Sequence, residues 1–238
     1  MDMNFLSKID DTDVERAEDS VGGFQRLDSD IYIATVKAVY AGESSGGAMF
    51  VVCIFDIDGK EYRETLYISN KNKEVFYKTN NGKKAPIPGY AIFKNMCIIC
   101  TGKEPAKLST EEKTLKIWDF ESKQDQLKVV PVITELTGKE VALGIVKELR
   151  NKRKKNNAGV YVDVAEYNEL NAITAVFHPT KKLTVNEALD KKPAAFWDKW
   201  LEANQGKVRD RRTIKDGSSS SSGSGTESTK SYSSVFDN

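Results

Sequence analysis

Met49-Phe-Val-Val-Cys-Ile-Phe-Asp-Ile-Asp-Gly-Lys-Glu-Tyr-Arg-Glu-Thr-Leu-Tyr-Ile68 is two β-rich runs on either side of Asp58-Gly59. A two-residue hairpin turn of the mirror-image type needs positive φ at both central positions, and Asp-Gly supplies it at little cost. Pairing Ile57 with Lys60 fixes the register, and the period of two then sorts the side chains. Met49, Val51, Cys53 and Phe55 fall on one face with Tyr62, Leu66 and Ile68, a core-like set. Phe50, Val52 and Ile54 fall on the other with Arg63, Thr65 and Tyr67. That second face mixes rings with a cation. It suits stacking against nucleic-acid bases, and it equally suits being covered by another segment.

Upstream, Ile31 to Tyr40 is β-branched and aromatic, and Gly42-Glu-Ser-Ser-Gly-Gly47 ends it in a loop, so a third strand joins the hairpin as a meander. Residues 1–22 hold Asp10, Asp11, Asp13, Glu15, Glu18 and Asp19 and are expected to be an acidic arm. Downstream, residues 69–89 are long, polar and rich in lysine, and a loop of that length is usually functional or disordered. Pro86 and Pro88 prepare a helix in which Ile92, Phe93, Met96, Cys97 and Cys100 share a face and which Gly102 ends. Leu115–Phe120 and Leu127–Ile133 read as an inserted hairpin carrying Trp118. Thr184-Val-Asn-Glu187 has capping-box spacing, and Pro193 suits the first turn of a C-terminal helix holding Phe196, Trp197, Trp200 and Leu201.

Between these lies Glu140 to Val164, a strand that runs into Arg150, Lys152, Arg153, Lys154 and Lys155, then Asn156-Asn157-Ala158-Gly159, then Val160-Tyr-Val-Asp-Val. It reads as two strands joined by a basic loop. Like charges crowded on a turn repel each other, and a row of phosphates would relieve them by releasing condensed counterions. A solubilising turn would carry the same residues, so context decides.

Laid in order, three meandering strands, a helix and a two-stranded hairpin, with one extra hairpin inserted, make the order of a five-stranded OB-fold Greek-key barrel. The expected fold class is therefore mainly β, with residues 23–215 as one OB-fold domain and a C-terminal helix. The basic turn then lies between the fourth and fifth strands, where such barrels bind oligonucleotides. Residues 216–238 change character. Gly217 to Gly225 is serine and glycine, a disordered tether that ends in Tyr232, Val235, Phe236 and Asp237, which read as a short docking peptide.

Composition agrees with a soluble, cytoplasmic protein. Hydrophobic residues make up 39% of the 238 and charged residues 30%, and no apolar run is long enough for a membrane span. Met1 to Asp10 lacks the basic-then-apolar order of a signal peptide. Three cysteines, Cys53, Cys97 and Cys100, are an odd number in apolar surroundings and fit a reducing compartment. A net charge of +1 conceals segregation, because the acids gather at the start while the hairpin and Lys207, Arg209, Arg211, Arg212 and Lys215 are basic.

No catalytic constellation stands out. Thr101-Gly-Lys-Glu104 and Thr137-Gly-Lys-Glu140 carry glutamate where a phosphate loop requires serine or threonine. Cys97-Ile-Ile-Cys100 has metal-ligand spacing and with Cys53 and His178 would make a zinc set, weighed against three buried thiols. His178 is the only histidine, and the carboxylates are scattered. No enzyme activity, metal or cofactor is expected.

The chain also resembles the single-stranded DNA-binding proteins of tailed bacteriophages. The resemblance runs through Ile31–Ile68 with its Ala41-Gly-Glu-Ser loop, Pro88-Gly-Tyr-Ala-Ile-Phe with Cys100-Thr-Gly-Lys, and Pro131-Val-Ile-Thr-Glu-Leu-Thr-Gly-Lys-Glu-Val. It continues through Val176-Phe-His-Pro and Asp198-Lys-Trp to the low-complexity tail. It implies an OB barrel, sequence-independent binding of single strands during phage replication and recombination, no catalysis, and a tail that recruits replication, recombination or transcription proteins. Tails in that family are typically strongly acidic, whereas Gly217–Asn238 carries only Glu227, Lys230 and Asp237.

The expected site is a positive groove that tracks phosphates with Arg150, Lys152, Arg153, Lys154 and Lys155, helped by Lys71 and Lys73, over a floor holding Arg63. Stacking is expected from Tyr40, Phe50, Tyr67 and Tyr161, with Trp118 as a further candidate. The alternative is a protein-interaction scaffold built on the same barrel without direct DNA binding.

Overall fold

The computed structural model of the protein describes residues 26–119 and 122–214. The tail residues Tyr232, Val235, Phe236 and Asp237 and the acidic arm lie outside the described residues.

The hairpin at Asp58-Gly59 forms as its sequence requires. Strands β1 (Asp30–Glu43), β2 (Met49–Ile57) and β3 (Lys60–Tyr67) make an antiparallel meander, and Ile57 pairs with Lys60. Asp58 and Gly59 both take positive φ, 51° and 76°. Val51, Cys53, Phe55, Tyr62 and Leu66 are buried, so the face read as core is core. Residues 69–89 contain a small hairpin, β4 (Phe76–Lys78) with β5 (Lys84–Pro86). Helix α1 (Pro88–Thr101) ends where Gly102 turns left-handed at φ 71° and donates its N–H to the Ile98 carbonyl. Phe93, Met96 and Cys97 face inward from it.

The inserted hairpin, β6 (Glu111–Asp119) with β7 (Gln124–Val132), joins the main sheet where Tyr40 meets Val132. Strand β8 (Glu140–Lys155) pairs antiparallel with the first residues of β1 and with β9 (Tyr161–Phe177). The chain closes with α2 (Val185–Leu189), α3 (Phe196–Asn204) and a short β10 (Val208–Asp210) parallel to β8. The capping box at Thr184 and Glu187 is complete, each satisfying the other's backbone N–H. Pro193 lies outside α3, whose N-cap is Ala195.

The architecture is thus mainly β, one large and mostly antiparallel sheet with few helices. Strands β9, β8, β1, β2 and β3 pair in that succession, and its two ends contribute to one core: Tyr62 and Leu66 from β3, Ile173 and Val176 from β9. The sheet therefore wraps around its core with α1 beneath it. The expected closed barrel is not found, because no ladder joins β3 to β9 among the described residues. One side chain spans the gap instead, Glu64, whose carboxylate accepts the Ile173 N–H at 2.8 and 3.1 Å. The outer face is covered at two places. Helix α3 lays Trp200 on Ala142, Val146, Ala175 and Phe177. The β6–β7 hairpin lays Leu115, Ile117 and Val130 on Tyr40, Val52 and Phe50. Among the described residues no helix is long and apolar enough to cross a membrane.

Candidate nucleic-acid interface

The face of β2 and β3 that mixes rings with a cation is half covered and half open. Val52 is buried beneath the inserted hairpin, and what remains is a cleft of about 570 Å³. Its lining includes Tyr40, Phe50, Arg63, Tyr67, Trp118 and Lys128. Five of the side chains expected to contact DNA are therefore brought together, with Lys128 added by β7. Phe50 and Tyr67 pair edge to face, with ring centroids 5.9 Å apart and an interplanar angle of 62°. Tyr67 and Trp118 present about half their surface to solvent, 52% and 45%. Tyr40 is only 6% exposed, so it forms the floor and offers little stacking surface, because the Val132 end of β7 pairs directly against it. Burial raises the Tyr40 phenol above its ordinary value, with Arg63 and Lys128 opposing. It stays neutral.

Lys73 sits at the rim of this cleft, 2.6 Å from Glu43, itself part of the lining, and the Lys71 carbonyl lies against Gly47 in the loop after β1. Lys71 is exposed.

The basic loop is the largest departure from expectation. Arg150 to Lys155 are not a turn but the outer half of β8, in a ribbon with β9 whose turn is Asn156–Val160. Three of their cations are matched with acids across the ribbon. Arg153 approaches Asp163 at 3.6 Å, Lys152 approaches Glu166 at 3.4 Å, and Lys154 also pairs with Glu166. These pairs hold the Glu166 carboxyl below its ordinary range, the Lys154 hydrogen bond first. Lys155 lies over the exposed ring of Tyr161 at 5.4 Å. The ribbon projects beyond Asp30, the first residue of β1, while the aromatic cleft takes in Tyr40 to Glu43 at its last residues. Tyr161 is therefore not in the cleft with Phe50 and Tyr67.

Arg150 belongs to neither group. It lies in a second cleft, of about 630 Å³, in the gap between β3 and β9. There Glu148, 1% exposed, accepts from Arg150 Nε at 2.8 Å and Nη2 at 2.5 Å, from Arg209 Nη1 at 3.3 Å, and faces Arg211 Nε at 3.4 Å. In the sequence Arg209 and Arg211 stand out only as basic, with no place assigned to them. Glu148 and Arg209 are 61 residues apart, and only the parallel β8–β10 ladder sets them side by side. Thr65 and Tyr67 line both clefts, so β3 is the ridge between them.

The metal alternative does not assemble. Cys53, Cys97 and Cys100 are free thiols, and among the described residues no group of histidine, cysteine and carboxylate has metal-site geometry. Burial pushes the thiols of Cys97 and Cys100 up to about 12 and about 11, so both are protonated and packed. His178 uses Nδ1 to accept the N–H groups of Thr180 and Lys181.

Comparison of the chain with protein-family models, with curated proteins and with solved structures finds no match.

Proposed function

We propose that this chain is an OB-type protein that binds single-stranded DNA without sequence preference by stacking bases in the cleft between β2–β3 and the inserted hairpin. The single observation that carries the reading is the convergence there of Phe50, Tyr67 and Trp118 with Arg63 and Lys128 on one open surface. Every base has a π-face, so rings with neighbouring cations bind strands of any sequence, at about 1–3 kcal/mol per stacked base. The strand path β9-β8-β1-β2-β3 with a helix after the third strand supports the OB assignment, since in that fold the same face carries oligonucleotides. The resemblance to phage single-stranded DNA-binding proteins adds the setting, viral DNA replication and recombination, with partner proteins docking on the tail through Tyr232, Val235, Phe236 and Asp237. The protein acts as a cover for exposed strands and performs no reaction on them.

Titration of fluorescent oligo(dT) at rising salt tests this. Affinity is expected to fall with salt at a log–log slope of about −0.7 per phosphate neutralised on a single strand. Tyr67→Ala is expected to weaken binding by roughly 5- to 150-fold, the equivalent of about 1–3 kcal/mol. Affinity that is absent, or flat with salt, removes the reading and leaves the protein-interaction scaffold.

A further inference from the structure

The cleft between β3 and β9 has no part in base stacking, since its walls carry no exposed ring except the edge of Tyr67. Its chemistry is different. Three arginines converge on a carboxylate that water barely reaches, and a buried carboxylate needs such partners because an isolated one is strongly unfavourable. One carboxylate has about four acceptor sites, however, and each guanidinium has five N–H donors in a rigid fork. Arg150 uses two on Glu148, Arg209 uses one there and one on Asn204, and Arg211 only touches it at 3.4 Å. Arg150 and Arg209 are therefore held by hydrogen bonds with donors to spare and Arg211 stands beside them, and the three side chains remain 48%, 37% and 53% exposed. That is a cradle for an oxyanion in which Arg150 and Arg209 are already oriented on folding.

A second element points into the same space. Ile87, Pro88 and Gly89 at the start of α1 line the cleft, and that helix has no side-chain cap and no acidic residue in its first turn. An uncapped helix start carries a partial positive charge and unsatisfied N–H groups. It is tucked close to the ridge, because a Cβ on Gly89 would stand 2.3 Å from the Tyr67 carbonyl oxygen. Counting every charged group in the lining, three arginines, Arg150, Arg209 and Arg211, stand against two acids, Glu64 and Glu148, so the cations are in excess.

We infer that the β3–β9 cleft is a phosphate-gripping channel for the same DNA strand whose bases stack in the aromatic cleft, Arg209 and Arg211 being its principal contacts. The inference rests on the stacking reading. The strand crosses the ridge at Thr65 and Tyr67, so its bases lie on one side of β3 and its next phosphates on the other. The covering of a strand by this protein is then longer than the aromatic cleft alone, and most of its salt dependence resides in residues that no turn or motif in the sequence marks.

The test uses the full chain, wild type and Arg209→Gln/Arg211→Gln, with fluorescent oligo(dT) over a salt series. In the variant Arg150 keeps its two-point grip on Glu148, so the buried carboxylate stays paired, and thermal melting verifies the fold. The expected result is weaker binding whose salt slope is shallower by about 0.7 for each phosphate no longer neutralised. Tyr67→Ala is expected to lower affinity too, but with the slope unchanged. If the double variant melts early, Arg211→Gln alone, which removes only the longest approach to Glu148, gives the same reading with about half the change. A folded variant with the wild-type slope overturns the channel and leaves stacking intact. Wild-type protein that binds no oligo(dT) overturns the stacking reading and this one with it.

Discussion

Phe50 lies with its ring over the backbone of its cross-strand partner Gly42, where a Cβ would stand 2.5 Å from the tip of the ring. The glycine is what lets the ring lie down into the cleft. Gly42→Ala is expected to tip Phe50 upward at little cost in stability, because only the end of one side chain has to move. Oligo(dT) affinity should then fall toward that of Phe50→Ala while the urea midpoint stays near wild type. Unchanged affinity would mean that Phe50 only supports Tyr67 and meets no base. Glu64 makes a different kind of prediction. Burial raises its carboxyl above the ordinary value and Glu148 adds to this, against hydrogen bonds from the Tyr62 hydroxyl and the Ile173 N–H. A raised acid favours the folded state fully below its unfolded value, about 4.3, and that contribution is lost as pH rises through the folded value. Glu64→Gln keeps the acceptor without the charge, so its stability relative to wild type is expected to improve as pH rises from about 4.3 through the raised folded value; urea midpoints that run parallel in the two proteins would refute it. At this scale the sequence was only partly legible. Alternation placed Phe50 and Tyr67 on one face, but that Tyr40 lies beneath them as floor depends on β7, a strand far along the chain that pairs with Tyr40 through Val132.

The ribbon of β8 and β9 illustrates why the extent of a strand can be misread from its sequence. Apolar patterning marks a strand only where its side chains are buried, and in β8 it is the continuous run from Val141 to Val146, buried on both faces where the strand crosses the core. Beyond Arg150 both faces of the ribbon meet water, so the strand continues with no pattern to reveal it and looks like a loop. The same blindness put the start of β6 at Leu115 when it begins at Glu111. In contrast α1, α2 and the hairpin at Asp58-Gly59 were legible, because Gly102, the Thr184–Glu187 box and two positive-φ residues act locally. The corrected ribbon has its own consequence. Glu166 holds both Lys152 and Lys154, so an acid that faces two cations withholds them from any phosphate. Glu166→Gln is expected to raise oligo(dT) affinity at low salt and to steepen the salt slope by about 0.7 for each phosphate then contacted. Replacing Lys152 to Lys155 by serine should move both quantities the other way. If neither variant departs from wild type, the ribbon is a solvated arm and the strand lies wholly on the two clefts.

Across the whole molecule, the order of elements was enough to place three meandering strands, a helix and a hairpin around one core, but not to say whether the sheet closes. Closure depends on β3 meeting β9, and those strands touch through Glu64 rather than through a ladder. The opening exists together with the segment that furnishes it. Gly206 donates to the Ser29 carbonyl, β10 runs along β8, and Asn151 accepts from Thr213 and Ile214, so the last described residues are fastened to the rim of the gap and carry Arg209 and Arg211 into it. What holds that segment from the other side is α3, and its anchor is Trp200. The indole packs where a Cβ on Gly144 would stand 2.8 Å away, and its N–H donates to the Thr174 hydroxyl at 3.1 Å. Trp200→Ala removes a buried ring and is expected to cost about 3–5 kcal/mol. Because β10 begins only four residues after α3 ends, the loosened helix should also release β10 and withdraw Arg209 and Arg211 from Glu148. The expected signature is twofold: a lower urea midpoint, and, at temperatures where the variant remains folded, a salt slope for oligo(dT) as shallow as that of Arg209→Gln/Arg211→Gln. Loss of stability with the slope intact would show that the ladder with β8 and the Asn151 clasp hold β10 unaided, and that the stacking cleft and the arginine cleft owe nothing to the helix that packs behind them.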